Sequence, residues 1–570
     1  MRARLLAPAF VIAAAGLAAS LVQGRPAHGE GPADRSLDPT PTATTVDVDV
    51  DLVLRVRRAA LDRYLAAVSD PHSPLYGRYL APIESGRRFG LSQHSLAALG
   101  RRLEALGLRV TERPATRTSL RVRGSAALVD RLFSVRLHDF TGRTGRYHRP
   151  DRPPSVPRFL TRWVQDVAGL DETPVVHTDA AERTLEPFEP SDSKEFYDVG
   201  PLHQRKLDGR GQTIALLTID RFSARNIKMH AARYGLAVKP VIVRKVGRGS
   251  QDTSSFESDM DIEVIRSVVP GAQIVNYQLG STVPQIADAI EQVVSEGKAT
   301  IVSASFGLCD GTARDDSYIS GPHPLLKLNT GDRKRVKDAL ATGAAAGISF
   351  FFSTGDLGGH DCQRAAPKDP LLSAHFPADA SYAVAVGGTV AFPSGKGLGE
   401  GAWGDSLSNS GGGGGLNPFD KQPAWQTDVH VTGSNGKRQL PDVSALAGSP
   451  YWSIYSTYSH GRGWGGGGGT SAATPFWAGA MVLVQQYMAQ KHAGPVCFAA
   501  PFLYALAKDS WKARPFFDIT TGTNLGWPAA KGWDFATGWG SPDVWNLAQD
   551  AVAYRSKHPL PGGNACRSAY

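Results

Sequence analysis

This chain is short of several things, and each shortage narrows what it does. Only 4 cysteines occur in 570 residues, and no two are close in sequence. Thiolate metal sites draw on short Cys–Cys or Cys–His spacings, so none is expected. Lysine is missing until Lys194, and the N-terminal positive charge rests on arginine. The net charge is +9, yet the basic block at 101–150 (12 Arg against 4 acidic residues) lacks interleaved aromatics and any nucleic-acid-binding motif. No nucleic-acid partner is expected. Long apolar runs are missing beyond the N-terminus. There, Met1-Arg-Ala-Arg4 followed by Leu5 to Val22 reads as a secretory signal peptide cut after Gly24. Pro8 and many alanines make that run marginal as an anchor, so no stable membrane insertion is expected. Export suits cysteines used as disulfides. Four cysteines allow three pairings. Cys309 and Cys362 each follow an apolar strand, and neighbouring strand ends of a parallel sheet favour Cys309–Cys362, leaving Cys497–Cys566.

Glycine, in contrast, is abundant at 62 residues, and its densest use is the most informative. Gly465–Gly469 runs into Thr470-Ser471, then into the apolar stretch Phe476–Val484, which reads as a buried helix. A serine at a helix start behind a glycine approach gains exposure and the helix dipole, as a nucleophile needs. A plain N-cap is the bland alternative. A phosphate loop is excluded because no lysine precedes Thr470-Ser471. A second helix is expected at Phe256–Val269. At about 100° per residue, Met260, Ile262, Val264, Ile265, Val268 and Val269 form a broad apolar arc, with Glu257 and Asp261 in its middle. Asp259, Glu263 and Arg266 fall on the opposite, polar face. Carboxylates on an apolar face are costly to bury unless something uses them.

Gly-Thr-Ser-x-x-x-Pro, here Gly469 to Pro475, resembles the nucleophile motif shared by subtilisin-like and sedolisin-like serine peptidases. The His-Gly-Thr string of subtilisins is absent. With Glu257 and Asp261 four residues apart, the chain resembles the sedolisin family of serine-carboxyl peptidases. Family-like strings run in order from about residue 60 to 550, among them Ser353-Thr-Gly355-Asp356, Val386-Gly-Gly-Thr389 and Gly532-Trp-Asp534. The resemblance implies Ser471 as nucleophile, Glu257 as base, Asp261 as its support and a protonated Asp356 in the oxyanion hole. Histidine would be protonated at acid pH, whereas a carboxylate stays partly ionised, so an acidic optimum is expected. Asp220, at the end of the strand from Thr213, is read as a strand-end residue beside the cleft.

The same resemblance implies a subtilisin-like α/β fold, a parallel sheet with helices on both faces, after an α+β, ferredoxin-like prodomain. The expected layout is a flexible segment at 25–47, the prodomain at 48–149, a linker with the maturation site at 150–190 and the peptidase at 191–570. Inside the prodomain, helices are expected at 59–68 and 95–106, a hairpin around 111–125 and a last strand near 132–137. The prodomain arginines are expected to pair with carboxylates around the catalytic cleft. One structural Ca²⁺ is implied, held by Asp518 and Asp534 with carbonyls of Ile519, Ala530 and Gly532. Where the family usually has glycine, this chain has Ala530. Ser303, Phe306, Gly307 and Trp403 resemble substrate-binding positions. Partners would be peptide substrates and the chain's own prodomain, with a monomer as the assembly. Competing readings are a tripeptidyl-peptidase of the same family, a neutral subtilisin-like peptidase, and a secreted peptide-binding pseudoenzyme.

Overall fold

A computed structural model describes residues 40–561 and Cys566, except 143–144, 179–180, 184–186, 237–238, 248–255, 310–329, 360–361, 363–373, 395–396, 428–435, 459–462 and 509–512. The expected signal peptide lies outside the described residues.

The N-terminal module begins with β1 (Asp47–Leu54). Its alternation buries Val48, Val50, Leu52 and Leu54 on one face, as a half-buried strand requires. After it come α1 (Arg58–Ser69), α2 (Gln93–Ala105), β2 (Arg109–Glu112), β3 (Ser119–Ser125) and α3 (Ala126–Phe133). A hairpin of β4 (Leu137–Gly142) and β5 (Gly145–Pro150) follows, then β6 (Val164–Ala168). The sheet order is β2-β3-β1-β6, antiparallel throughout. That is the ferredoxin-like β-α-β-β-α-β arrangement.

Two expectations are corrected. The fourth strand, β6, lies in the stretch expected to be linker, because a Pro-rich, polar composition hides the buried pair Val164 and Val167. Residues 132–137 do not form one strand. Ser125 caps α3 by accepting from the Leu128 N–H, the helix buries Ala126, Val129 and Phe133, and it ends at Ser134 with φ of 58°.

The C-terminal part is built on one large sheet. Its members are β10 (Thr213–Thr218), β11 (Ile242–Lys245), β12 (Gln273–Gln278), β13 (Ile301–Ala304), β15 (Ser349–Ser353), β16 (Val384–Ser394), β17 (Gly397–Ala402) and β18 (Val443–Leu446). The order is β11-β12-β10-β13-β15-β16-β17, with β18 also pairing β16; all pairs are parallel except β16 with β17. The strands read as near-continuous apolar runs (Ile-Ala-Leu-Leu in β10, Phe-Phe-Phe in β15) because both faces are covered. Covering elements include α4 (Ala224–Tyr234), α5 (Phe256–Val268), α6 (Val283–Glu296), α7 (Thr330–Ala345), α8 (Thr470–Gln490) and α9 (Val544–Lys557). The fold is subtilisin-like.

The N-terminal module docks on α6 and α7. Arg335 of α7 reaches Asp51 (2.7 Å), Asp288 (2.6 Å) and Glu291 (2.8 Å), while Arg121 of β3 joins Asp51 (2.8 Å) and Asp288 (2.6 Å). Burial pushes the Asp288 carboxyl up, but Arg335 and Arg121 outweigh it and hold it below the usual range. Glu291, more dominated by burial, is raised. A second anchor is a cation–π and hydrogen-bonding contact. Tyr76 packs under the Arg555 guanidinium, which also donates to the carbonyls of Val496 (2.9 Å) and Pro495 (3.1 Å). Of the arginines at 101–150, Arg121 does cross to the C-terminal part, but onto α6 rather than the cleft. Arg123 stays within its own module on Asp49 (2.7 Å).

Candidate active site

The serine expected as nucleophile opens α8. Gly469, with φ of 86°, supplies the turn into the helix, and Thr470 and Ser471 form its first residues. Pro475 has no N–H to give the Ser471 carbonyl four residues back, so its place in the motif leaves that carbonyl without its helical donor. Ser305 takes advantage of this. Its Oγ lies 3.1 Å from the Ser471 carbonyl and 2.7 Å from Asp261 Oδ1, so its single proton serves α8 or α5 in turn. Ser305 thereby joins Asp261 of α5 to the first turn of α8. Sequence reading passed over it, although it sits within the quoted string at 303–307; its only local signal is its place just before Phe306.

Every residue of α5 from Glu257 to Val268 is buried, because the helix is enclosed on all sides. Gly479 allows the close approach of α8: a Cβ there would lie 3.1 Å from Val268 Cβ. The polar face of α5 packs against α4 and β19 (Tyr451–Ser456). Asp259 accepts from the Ser223 N–H (2.7 Å), Asn226 Nδ2 (2.7 Å) and Ser456 Oγ (2.8 Å). Glu263 accepts from the Tyr455 N–H (2.8 Å). Arg266 donates to the carbonyls of Pro270, Ala272 and Lys239. Helical periodicity separates faces correctly but does not tell solvent from a second polar interior.

Burial governs the charges here. It raises Asp261 well above the usual carboxylate range, against the hydrogen bond from Ser305 and with the Asp220 carboxylate adding to the rise. It pushes Asp220 up to about 7, partly offset by Ser258, whose hydroxyl donates to it. Asp259 is pushed up to about 6 by burial. Asp220 is thus an inner neighbour of the α5 carboxylates, 4% exposed, rather than a wall of the cleft.

Asp356 follows β15 and binds the start of α8: its Oδ1 accepts from the Thr470 N–H (2.8 Å) and Thr470 Oγ1 (2.9 Å). The Gly355 N–H donates to Thr470 Oγ1 at 3.2 Å. Thr470 therefore fixes Asp356 beside Ser471, a role its N-cap reading does not include. Ser471 Oγ and Asp261 Oδ2 are buried and make no hydrogen bond among the described residues.

Chain segments before the peptidase core run through this centre. β7 (His177–Thr178) pairs antiparallel with β14 (Phe306–Gly307), and β8 (Ala181–Arg183) pairs antiparallel with Gly466–Gly468 of β20 (Gly463–Gly468), just before Ser471. β9 (Pro187–Phe188) then pairs with β19, and Phe188 is buried against Trp452. Phe306 and Gly307 thus offer backbone to a strand, and a Cβ on Gly307 would come within 2.6 Å of His375. Two of the expected substrate positions are enclosed. Ser303 is interior to the sheet, flanked by Leu216 and Phe351 on both sides, so its backbone is not a free edge. Trp403 is 2% exposed, its ring wedged against Gly388 and Gly448, where it fills space only glycine leaves.

The disulfides Cys309–Cys362 and Cys497–Cys566 are those expected. Asp518 and Asp534 face one loop: Asp518 accepts from the Gly532 N–H, and Asp534 from the N–H groups of Ala530, Ala536 and Thr537. Burial raises both, Asp534 to about 6. Carboxylate oxygens are ligands that suit Ca²⁺, and a cation would relieve the burial of both groups. Ala530 is not among the residues with positive φ, so alanine is accommodated there without backbone strain.

Residues 35–173 match the pro-kumamolisin activation domain, and residues 249–540, slightly over half of the chain, match the subtilase family. Sedolisin of Pseudomonas sp. (strain 101) is 26% identical over 532 residues, covering 87% of this chain and 85% of that protein. Kumamolisin of Bacillus sp. (strain MN-32) is 27% identical over 460 residues, covering 76% and 78%. The chain belongs to the sedolisin family of subtilases. Tripeptidyl-peptidase 1 of Canis lupus familiaris is 25% identical over 504 residues, covering 81% of this chain and 82% of its own length. The structure of Pseudomonas sedolisin complexed with two molecules of pseudo-iodotyrostatin superposes with a TM-score of 0.53 at 25% identity, covering 65% of this chain and 99% of that one. The chain is accordingly a serine-carboxyl peptidase, made as a zymogen with an N-terminal prodomain.

Proposed function

We propose that this protein is a secreted, acid-acting endopeptidase in which Ser471 is the nucleophile, Glu257 the base, Asp261 its support and Asp356 the oxyanion donor. The observation that carries the reading is the chain's own linker, paired on both sides of Ser471 as a substrate would be. Ser471 Oγ attacks the scissile carbonyl carbon while its proton passes to Glu257. The carbonyl π-electrons move to oxygen, which neutral Asp356 stabilises by donating a hydrogen bond. Collapse breaks the C–N bond, Glu257 returns the proton to the leaving amine, and water repeats the sequence on the acyl-enzyme. Asp261 keeps its proton to higher pH than an ordinary carboxyl, so it donates towards Glu257 in acid.

The linker also favours endopeptidase over tripeptidyl-peptidase action. It continues upstream of β7, where the Val176 N–H donates to the Ser281 carbonyl (2.9 Å), so the cleft is not closed on the amino side. Maturation would cut between Thr178 and Ala181, within the expected linker. Two disulfides, and the absence among the described residues of any helix long and apolar enough to cross a membrane, agree with export. Ca²⁺ at Asp518 and Asp534 would stabilise the C-terminal loops. Chelation is expected to lower Tm by several degrees in the parent and not in Asp534→Asn.

The test is the pH–rate profile on an unfolded protein after acidification, with Ser471→Ala as blank. An optimum near pH 3–5 that vanishes in the blank supports the Ser–Glu mechanism. An optimum near pH 7–8 moves the base elsewhere.

A further inference from the structure

We propose that Trp464, with the aromatic side chains beneath it, is a subsite for the leaving half of extended polypeptide substrates and takes a bulky apolar side chain. The proposal rests on the reading of Ser471 as nucleophile. Ala181, Glu182 and Arg183 pair with Gly468, Gly467 and Gly466, so a chain on this edge runs away from Ser471 as it proceeds towards its C-terminus. The next two positions on β20 are Gly465 and Trp464. Among the described residues of the linker none pairs with them, and Pro187–Phe188 pair with β19 at the opposite edge of the same small sheet. A substrate that continues straight, in place of β8, reaches Trp464 about six residues past the cut, at two residues per pleat.

Gly465–Gly468 carry no side chains, so the backbone of a bound chain approaches freely and Trp464 is the first side chain it meets. The indole is 40% exposed. It stands on a fixed base: Tyr455 opposite it on β19 at 5.2 Å, Tyr234 of α4 at 5.7 Å, and the Arg233 guanidinium 4.8 Å over the ring. Tyr234 is itself pinned by donating to Ser453 Oγ (2.7 Å). A large exposed ring whose rotamer is already set, at the end of a strand edge that binds chain, gives apolar contact area at small entropic cost.

The experiment uses the matured enzyme and two peptide sets identical through the cut and three residues beyond. One set ends there; the other continues, with Phe, Leu, Gly or Asp at the position opposite Trp464. Phe and Leu extensions are expected to raise kcat/KM about tenfold over Gly, Asp or truncation, mainly through KM. Trp464→Ala should remove that long-to-short ratio and Trp464→Phe should keep most of it. The proposal is overturned if the unmodified enzyme shows no such preference, if it prefers Asp, which assigns the position to Arg233, or if the preference survives Trp464→Ala. Short peptides left uncut in acid by the unmodified enzyme, or cut by Ser471→Ala, would instead overturn the catalytic reading beneath it.

Discussion

Helix α5 carries two pairs of buried acids, one on each side, and the two pairs are equally deep. Asp259 and Glu263 face α4 and β19; Asp261, one turn after Glu257, is joined through Ser305 to the start of α8. Satisfaction separates Asp259 from Asp261, and position separates Glu263 from Asp261. Asp259 is held by three donors, whereas Glu263 has a backbone N–H on one oxygen and no hydrogen bond on the other among the described residues. Asp261 has one hydroxyl on one oxygen, and its other oxygen is buried with no hydrogen bond among the described residues. Burial alone therefore does not mark a reacting carboxylate. The mark is a carboxylate left short of donors, beside a nucleophile and between two strand edges that bind chain.

The largest effect expected is on the α8 side. Glu257→Gln and Ser471→Ala should each lower kcat by roughly 10⁴-fold or more, since members of such a unit fail together. Single-turnover assays at pH 4 will show it, and a residual rate within tenfold of the parent would erase the distinction between the faces. Asp356→Ala should cost roughly 10²–10³-fold in kcat with KM little changed, the loss of one oxyanion donor. On the other face, Asp259→Asn and Glu263→Gln should leave kcat within about threefold but lower stability by about 1–3 kcal/mol, the cost of mismatched buried donors. Denaturant melts at pH 4 decide that.

The smallest effect is a slope. Asp259 is raised to about 6 in the fold, so its contribution is fully present below the unfolded value near 4 and is lost as pH rises through 6. Stability should fall across that window, and Asp259→Asn should flatten the fall. A steeper fall in the variant would contradict the assignment.

Much of this was legible locally. Glycine before Thr470-Ser471, the proline four residues after the serine, and two acids one turn apart on an apolar arc each have a local physical cause. Strand ends favoured Cys309–Cys362, and Cys497–Cys566 was the pair that remained. What was not legible depends on distant partners. β6 looked like linker because its partner β1 lies more than a hundred residues away, and periodicity alone does not show that α4 and β19 cover the polar side of α5.

The sequence by itself determined the residue types, their periodicity and the order of the motifs, because those depend on neighbours within a turn or a pleat. Only the tertiary structure decided which buried acid has donors, that Ser305 joins α5 to α8, and that the linker strands β7 and β8 pair with β14 and β20. Hydrogen-bond satisfaction and burial are set by groups distant in the chain, and no local pattern contains them.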